Sequence, residues 1–274
     1  MTVCKVCFRH CDIEEGRTGA CKARVCRDGK IVSDNYGRYT SLALDPIEKK
    51  PLARFCPGSN ILSYGSYGCN LFCPFCQNCE ISRSDGSEFI DMITPEHLAA
   101  LADRYRARGN IGVAYTYNEP LVSYEFIRDT GRLIKDMGMK NVLVTNGTAE
   151  LPVLEEIIPY IDAMNIDLKS MSDKTYREVL GGDLNTTKAF IERAVKDCHV
   201  ELTMLIVPGM NDTEEEMREA SGWIAGLSCE IPFHISRFFP RYKMNGRSPT
   251  DVGKIYSLAD IAREKLKYVY TGNC

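Results

Sequence analysis

The sequence predicts an α/β protein: a partial (β/α)₆ TIM-like barrel with a small cysteine-rich N-terminal module. From about residue 60 onward, short runs rich in β-branched and aromatic residues alternate with segments of helical periodicity, the pattern of a parallel α/β sheet. Six such repeats favour an incomplete barrel over a closed eight-stranded one. Five of the thirteen cysteines fall within residues 1–26, in a segment of different composition.

The individual elements follow from local patterns. The pattern predicts Thr94 as an N-cap with Pro95 at the first helical position, and Gly109 can end that helix. Asn211 or Asp212 is expected to cap a second helix over 214–227, whose early glutamates suit a helix N-terminus. The predicted strands are 61–67, 111–117, 141–145, 163–168, 200–207 and 232–236, with 267–270 as either a seventh strand or a terminal edge.

The composition of the chain limits the functions that it can have. We expect two units, a cysteine-rich module over 1–55 and the barrel over 56–274. The chain is 44% hydrophobic and 26% charged, as soluble globular proteins are. A net charge of −3 argues against a nucleic-acid partner. The absence of a long apolar run argues against a membrane partner, and the start lacks the apolar core of a signal peptide. The sequence therefore predicts a cytoplasmic protein whose clustered cysteines bind metal.

The strongest motif is a group of three cysteines after the first predicted strand. Cys69, Cys73 and Cys76 have spacings of three and then two residues. Ordinary Fe–S clusters take four cysteines, so three ligands leave one iron open, as a catalytic zinc keeps an open position. An open iron can chelate the amino and carboxylate groups of a methionine moiety. Alternatively, Cys79 completes a closed zinc or electron-transfer site, or the cysteines are unligated core residues.

This motif, with Phe75 before its third cysteine, resembles the radical S-adenosylmethionine (SAM) superfamily. Residues 44–52, 57–59 and 73–78 are similar to the radical SAM enzymes of the AmmeMemoRadiSam system, which are similar in turn to pyruvate formate-lyase activating enzyme. The resemblance implies the radical SAM fold and a SAM-ligated [4Fe–4S] cluster on Cys69, Cys73 and Cys76. It further implies reductive cleavage of SAM to methionine and a 5′-deoxyadenosyl radical, which abstracts hydrogen from a protein or small-molecule substrate.

The resemblance also implies SAM contacts at the ends of the predicted strands. Glu119 matches a family glutamate that grips the methionine amino group, although Asn118 replaces a family glycine. Asp167 and Lys169 resemble an activase Asp-x-Lys pair, and His234 resembles a histidine that contacts the nucleoside. Each also has a structural interpretation, as a loop carboxylate, a turn, a strand-end ion pair or a core histidine. The expected cofactor-binding residues are Phe75, Asn118, Glu119, Thr145, Asn146, Asp167, Lys169 and His234.

The N-terminal cysteines predict a second metal site, either zinc or Fe–S. Gly16 and Gly19 allow the chain to turn back as zinc-ribbon knuckles do, and Cys26 and His10 are spare ligands. Such a site is either a folding clamp for a module with little core or an electron relay. The sequence does not choose between these roles. The four expected ligands are Cys4, Cys7, Cys11 and Cys21.

Three function classes follow. The first is hydrogen abstraction from another protein, as in glycyl-radical-enzyme activation, although an arginine-containing lead-in to Cys69 and a ferredoxin-like insert after Cys79 are missing. The second is radical modification of a small molecule or of a Memo- or AMMECR-type partner protein. The third is a non-enzymatic iron–sulfur or zinc electron-transfer module, which would not need the polar strand ends. Either enzyme requires a one-electron donor of the ferredoxin or flavodoxin type.

The aromatic and basic run 236–244 either closes over a substrate or packs as a loop.

Overall fold

The computed structural model describes residues 1–87 and 91–274. The short elements include 3₁₀ turns and one π-helical segment, Thr175–Leu180. The strands are β1 (Thr2–Val3), β2 (Asp12–Ile13), β3 (Arg24–Arg27), β4 (Lys30–Ser33), β5 (Arg38–Tyr39), β6 (Ser41–Pro46), β7 (Asn60–Gly65), β8 (Asp91–Met92), β9 (Asn110–Tyr115), β10 (Lys140–Thr145), β11 (Ala163–Asp167), β12 (His199–Ile206), β13 (Phe233–Arg237) and β14 (Val269–Gly272). The helices are α1 (Cys79–Ser82), α2 (Pro95–Arg104), α3 (Tyr124–Asp136), α4 (Leu151–Ile157), α5 (Leu184–Ala194), α6 (Glu214–Leu227) and α7 (Val252–Arg263).

The main sheet has the strand order β14-β13-β12-β11-β10-β9-β7-β6. Pairing is parallel from β7 to β14, and β6 alone pairs antiparallel, with β7. The two outer strands, β14 and β6, do not close on each other in this order. The sequence prediction of an incomplete α/β barrel is therefore confirmed, and the run near 267–270 is a seventh parallel strand.

Two predicted strands end earlier than expected. The strands predicted over 61–67 and 111–117 stop at Gly65 and Tyr115. Tyr117 has a φ of 73°, a left-handed conformation that a strand cannot contain. The chain therefore leaves the sheet two residues before the point that β-propensity suggested, and the residues thus freed belong to the loops at the barrel mouth.

Strand alternation separates two apolar layers. Successive side chains of a strand point to opposite faces. Leu143 packs in the large cluster shared with the helices, whereas its neighbour Val142 belongs to a small inner cluster. Met164 and Ala163 divide in the same way. The outer layer holds the helices on the sheet, and the inner layer fills the barrel.

The segment after β6 forms the floor of the barrel. Ile47 and Leu52 have no exposed surface and pack against the inner cluster of the strands. Asn165 of β11 donates a hydrogen bond to the carbonyl of Pro51 at 2.9 Å. The chain thus crosses inside the curved sheet and fills its interior below the strands' C-terminal ends. Ile47, Pro51 and Leu52 belong to the region 44–52, for which the sequence offered only a family resemblance.

The helix caps are partly as predicted. The Thr94 hydroxyl accepts from the backbone N–H of His97, and Gly109 has a φ of 78°. The expected cap of α6 at Asn211 or Asp212 is wrong, since the Thr213 hydroxyl accepts from Glu216. Asn211 is instead fully buried and ties the β11 and β12 loops together. Over the described residues, no helix has the length and apolar character needed to cross a membrane.

The N-terminal region lies against the barrel. Its strands form two small antiparallel pairs, β1 with β2 and β3 with β4. Backbone N–H groups of Cys69 and Glu150 donate to the carbonyls of Cys21 and Val6, at 3.2 and 3.0 Å. β6 lies before residue 56 yet pairs in the main sheet. The division of the chain at 55 stays a prediction from the sequence.

We expect Leu52→Ala to destabilise the protein by about 2–5 kcal/mol, because it opens a cavity in the fully buried floor. The free energy of unfolding from urea denaturation measures this effect. Leu151→Ala is the matched control, since Leu151 is 39% exposed at the start of α4 and surface changes cost about 0.5 kcal/mol or less. Equal losses in the two variants would contradict the role of the floor.

Candidate active site

A cavity of about 680 Å³ opens at the C-terminal ends of the parallel strands. This volume is typical of small-molecule sites, and this end of a parallel barrel is where active sites lie. Residues from the loops after β7 and β9 and from β10 to β14 line it, and Lys49, Pro51 and Ala53 contribute from the floor. Every predicted cofactor-binding residue lines it: Phe75, Asn118, Glu119, Thr145, Asn146, Asp167, Lys169 and His234.

Three cysteines of the loop after β7 line the same cavity. They are Cys69, Cys73 and Cys76, whereas Cys79 begins α1 and is not a lining residue. In residues 1–87 and 91–274, no three Cys, His, Asp or Glu side chains are placed to share one metal ion. Cys79 therefore stands apart from the three cysteines that line the cavity.

Polar side chains hold the cysteine loop from several sides. Asn118 donates through Nδ2 to the carbonyls of Tyr67 and Gly68, at 3.0 and 3.1 Å. Its Oδ1 accepts from the N–H of Ser66 at 3.1 Å. Arg83 donates to the carbonyl of Cys69 at 3.3 Å. Asn118 thus braces the lead-in to the first cysteine.

Glu119 is a buried carboxylate at the end of β9, and only 3% of its surface is exposed. Its oxygens accept from the Thr145 hydroxyl at 2.7 Å and from the backbone N–H groups of Asn146 and Leu121, at 2.8 and 3.1 Å. Burial raises the pKa of Glu119 to about 7, although these hydrogen bonds lower it. A cationic ligand group would offset the buried charge, so this corner of the cavity suits an ammonium.

Asn146 connects the end of β10 to the cysteine loop. Its Nδ2 donates to Oδ1 of Asn70 at 2.9 Å and lies 3.8 Å from Sγ of Cys69. The hydroxyl and N–H of Thr148 both donate to its Oδ1. The amide is thus fixed in orientation beside the first thiol.

Asp167 and Lys169 form an ion pair at the end of β11. Nζ of Lys169 lies 2.9 Å from Oδ2 of Asp167. Burial lowers the pKa of Lys169, but Asp167 and the Cys73 thiolate raise it by more, so the ammonium stays charged. The pair places one positive and one negative group in the cavity, and the positive group suits a ligand carboxylate.

Glu201 is a site residue that sequence reasoning missed. It lies in β12 with no exposed surface, and its Oε2 is 2.6 Å from Nε2 of His234. Its Oε1 is 2.9 Å from Nε2 of His199, and the N–H groups of Ala53 and Arg54 donate to its two oxygens. His234 also stacks on Tyr270, with ring centroids 5.2 Å apart. Glu201 therefore fixes the histidine and the floor together; its only sequence signal was a carboxylate inside an apolar strand.

A second buried carboxylate, Asp45, was also missed. Nζ of Lys50, the hydroxyl of Tyr117 and the hydroxyl of Ser63 lie 2.9, 2.7 and 3.0 Å from its Oδ2. Burial raises the pKa of Asp45, but Tyr117 and Lys50 hold it well below its usual range. This network holds Tyr117 in its left-handed conformation and so places the Asn118–Glu119 turn.

The radical SAM superfamily profile matches residues 63–220, more than half of the chain. The chain belongs to the radical SAM superfamily. Protein MJ0808 of Methanocaldococcus jannaschii is 39% identical over 281 residues, which cover 98% of this chain and 80% of that protein. Pyruvate formate-lyase 1-activating enzyme of Escherichia coli strain K12 is 28% identical over 165 residues, 58% of this chain and 65% of the relative.

Solved structures agree with this radical SAM fold. Streptococcus suis SuiB bound to S-adenosylmethionine superposes with a TM-score of 0.61 at 14% identity, over 78% of this chain and 52% of that one. A domain of pyruvate-formate lyase-activating enzyme from Bacteroides vulgatus has a TM-score of 0.51 at 18% identity, over 59% of this chain and 98% of that domain. At these identities the likeness concerns the fold alone.

These findings confirm the predictions of a radical SAM enzyme and of similarity to activating enzymes. The family implies a [4Fe–4S] cluster and SAM as cofactors. Membership of the AmmeMemoRadiSam branch and the individual ligand residues stay predictions from the sequence. The structure adds that all of those cavity residues converge at one end of the barrel.

We expect Glu201→Gln to remove an acid-sensitive part of the radical SAM domain's stability. Burial raises the pKa of Glu201, but the hydrogen bonds of His199 and His234 lower it to about 2, below its ordinary value of 4.5. The ionised carboxylate therefore stabilises the fold above pH 4.5, and this stabilisation is lost as the pH falls toward 2. The free energy of unfolding, measured from pH 7 downward, should show a gap between wild type and variant that narrows below pH 4.5.

Glu214→Gln provides the control, because Glu214 forms an exposed ion pair with Arg218. Its acid dependence should follow that of the wild type. A constant gap between the wild type and Glu201→Gln across this pH range would show that the buried carboxylate does not titrate as expected.

Proposed function

We propose that this chain cleaves SAM reductively and directs the resulting radical to a hydrogen of its substrate, as an activating enzyme does. The observation that carries the proposal is the meeting of three cysteines, a buried carboxylate and an Asp–Lys pair in one cavity. An electron carrier needs a cluster close to its surface and no such set of ligand groups. The third function class, a non-enzymatic module, is therefore disfavoured.

The cysteines of the β7 loop would hold the cluster. Cys69, Cys73 and Cys76 supply three thiolates, and Cys79 lies outside the cavity lining, so one iron is left for an exchangeable ligand. When both groups are bound, an electron from a ferredoxin- or flavodoxin-type donor breaks the C5′–S bond of SAM, giving methionine and a 5′-deoxyadenosyl radical that abstracts hydrogen. The protein's own contribution is binding, orientation and exclusion of water.

The ends of the strands would hold SAM by complementary charge. Glu119 is a buried carboxylate that suits the methionine ammonium, and Lys169, whose side chain is 16% exposed, is a cation that suits the carboxylate. The Thr145 hydroxyl and the Asn146 N–H both donate to Glu119, which orients the loop that these two residues share. His234, fixed by Glu201, lies in the cavity on β13, on the side away from the cysteines in strand order, and we assign it to the nucleoside.

A polypeptide is the substrate class that we favour. The chain is similar to an enzyme named for activating pyruvate formate-lyase, and one of its structural neighbours is described as SuiB bound to the precursor peptide SuiA. The run 236–244 lies beside the cysteine loop, since the N–H of Lys243 donates to the carbonyl of Pro74 at 3.0 Å. Its Phe239 is 40% exposed. An exposed aromatic ring in this run suits contact with a macromolecular substrate.

Anaerobic reconstitution with iron and sulfide, followed by dithionite and SAM, should give 5′-deoxyadenosine, detected by chromatography. Cys76→Ala should give none, because it removes a cluster ligand. Cys79→Ala is the matched control and should retain product, because Cys79 is not a lining residue. Absence of product from wild type with a fully loaded cluster would contradict the proposed chemistry.

The same assay separates the two substrate classes. If the substrate is a polypeptide, the protein fraction of a cell extract should increase 5′-deoxyadenosine formation, and prior protease treatment of that fraction should abolish the increase. Stimulation confined to the small-molecule fraction would overturn the polypeptide assignment and leave the SAM chemistry intact.

Lys169→Met should weaken SAM binding about 10- to 100-fold, as expected for loss of one charge-assisted hydrogen bond of about 1.5–3 kcal/mol. Equilibrium binding of SAM to the reconstituted protein measures this, with iron content showing that the cluster is loaded. Lys174→Met is the matched control, since the Lys174 side chain is 78% exposed and lies outside the cavity. Equal affinities in the two variants would exclude Lys169 as a carboxylate ligand.

A further inference from the structure

A second group of cysteines surrounds a small cavity in the N-terminal module. Its wall is otherwise mostly apolar, with Val6, Ile13 and Val122. The two spare ligands are not part of it. Cys26 has its sulfur beside Thr2 and Glu15, and the His10 ring pairs with Glu150 at 3.1 Å. The four sulfur-bearing residues that line it are Cys4, Cys7, Cys11 and Cys21.

Backbone contacts position three of these cysteines. The N–H of Cys4 donates to the carbonyl of Cys11 at 2.8 Å. Lys22 has a φ of 63°, which turns the chain back around Cys21.

An arginine in the same wall has an unused donor. Arg24 is 3% exposed, and its two terminal nitrogens bind the carboxylate of Glu125 at 2.8 Å. Its Nε is buried and has no hydrogen-bond partner within the part of the chain that the structure describes. A buried N–H without a partner is costly, and its presence indicates a group that the protein alone does not provide. The missing acceptor is next to four thiols, so it is expected to be anionic.

The four thiols do not converge on one point. No three of them, nor any other three Cys, His, Asp or Glu side chains within 1–87 and 91–274, are arranged to hold a single ion. Zinc requires four sulfurs at about 2.3 Å from one centre. A cubane instead places each thiolate on a different iron and keeps the sulfurs apart. The described residues therefore form no zinc-type group here, and a cubane does not require one.

We infer that Cys4, Cys7, Cys11 and Cys21 bind a second cluster, of the [4Fe–4S] type, with the Arg24 Nε–H donating to one of its sulfurs. With four protein ligands this cluster has no open iron. It is closed to SAM and remains separate from the chemistry of the large cavity. The inference stands independently of the proposed function, because it uses no residue of that cavity.

The second site abuts the cysteine loop of the first. The carbonyl of Cys21 accepts from the N–H of Cys69 at 3.2 Å. Gly68 is required between them, since a Cβ there would lie 2.7 Å from that carbonyl. Arg9 donates through Nε to the carbonyl of Asn70 at 2.7 Å and stacks on Phe72. A cluster in the N-terminal cavity would therefore fix one side of the loop that carries the first.

Iron and acid-labile sulfide analysis of the anaerobically reconstituted full chain tests the inference. Wild type should contain about eight irons and eight sulfides, four for each cluster. Removal of the cavity cysteines by Cys69→Ala, Cys73→Ala and Cys76→Ala together should leave about four of each, with the Mössbauer signature of a [4Fe–4S] cluster. Wild type with about four irons, or with one zinc and no second cluster, would overturn it. Cys11→Ala combined with Cys21→Ala should lose the second cluster alone.

Arg24→Gln tests the site without removing a ligand. Loss of a positive donor beside the cluster should shift its reduction potential to a more negative value, measured by EPR-monitored titration in the variant that lacks Cys69, Cys73 and Cys76. Glu125→Gln is the control, because it breaks the same ion pair but keeps the guanidinium. An equal negative shift in both variants would show that Arg24 acts through Glu125 and does not contact a cluster.

Discussion

The loop that carries Cys69, Cys73 and Cys76 has no regular secondary structure, so its peptide groups must find partners elsewhere. Side chains of neighbouring segments supply these hydrogen-bond partners. Asn118 binds the carbonyls before the first cysteine, and Arg83 and Arg9 bind those after it. The placement of three thiols in one cavity thus depends on hydrogen bonds from a strand end, a short helix and the N-terminal module.

Buried carboxylates also hold residues of the site in place. Asp45 holds Tyr117, Glu119 holds the end of β10, and Glu201 holds His234 together with the floor. Each oxygen is matched by donors, as buried charges require. The difference in pKa follows from those donors. Glu201 faces two histidines and stays ionised. Glu119 faces only neutral donors, so a cationic ligand would offset its charge.

The two cysteine groups differ in how many thiols they offer and in what surrounds them. The group of three opens on a large cavity with both polar and apolar walls and with room for an organic ligand. The group of four encloses a small space walled by apolar side chains and by Arg9 and Arg24. These differences underlie the two proposals, a cluster with an open iron for the first group and a closed cluster for the second. Because Cys21 and Cys69 are joined by a backbone hydrogen bond, the two sites share one wall.

The sequence by itself determined the architecture, because alternation of strand and helix patterns is local and survives without tertiary information. It also determined the cysteine motif and the polar strand ends, since parallel topology brings C-terminal ends together. It could not find Asp45 or Glu201, whose partners lie in segments distant along the chain. Only the tertiary structure decided that Cys79, Cys26 and His10 stand apart from the cavities, because spacing along a chain does not fix where a side chain points.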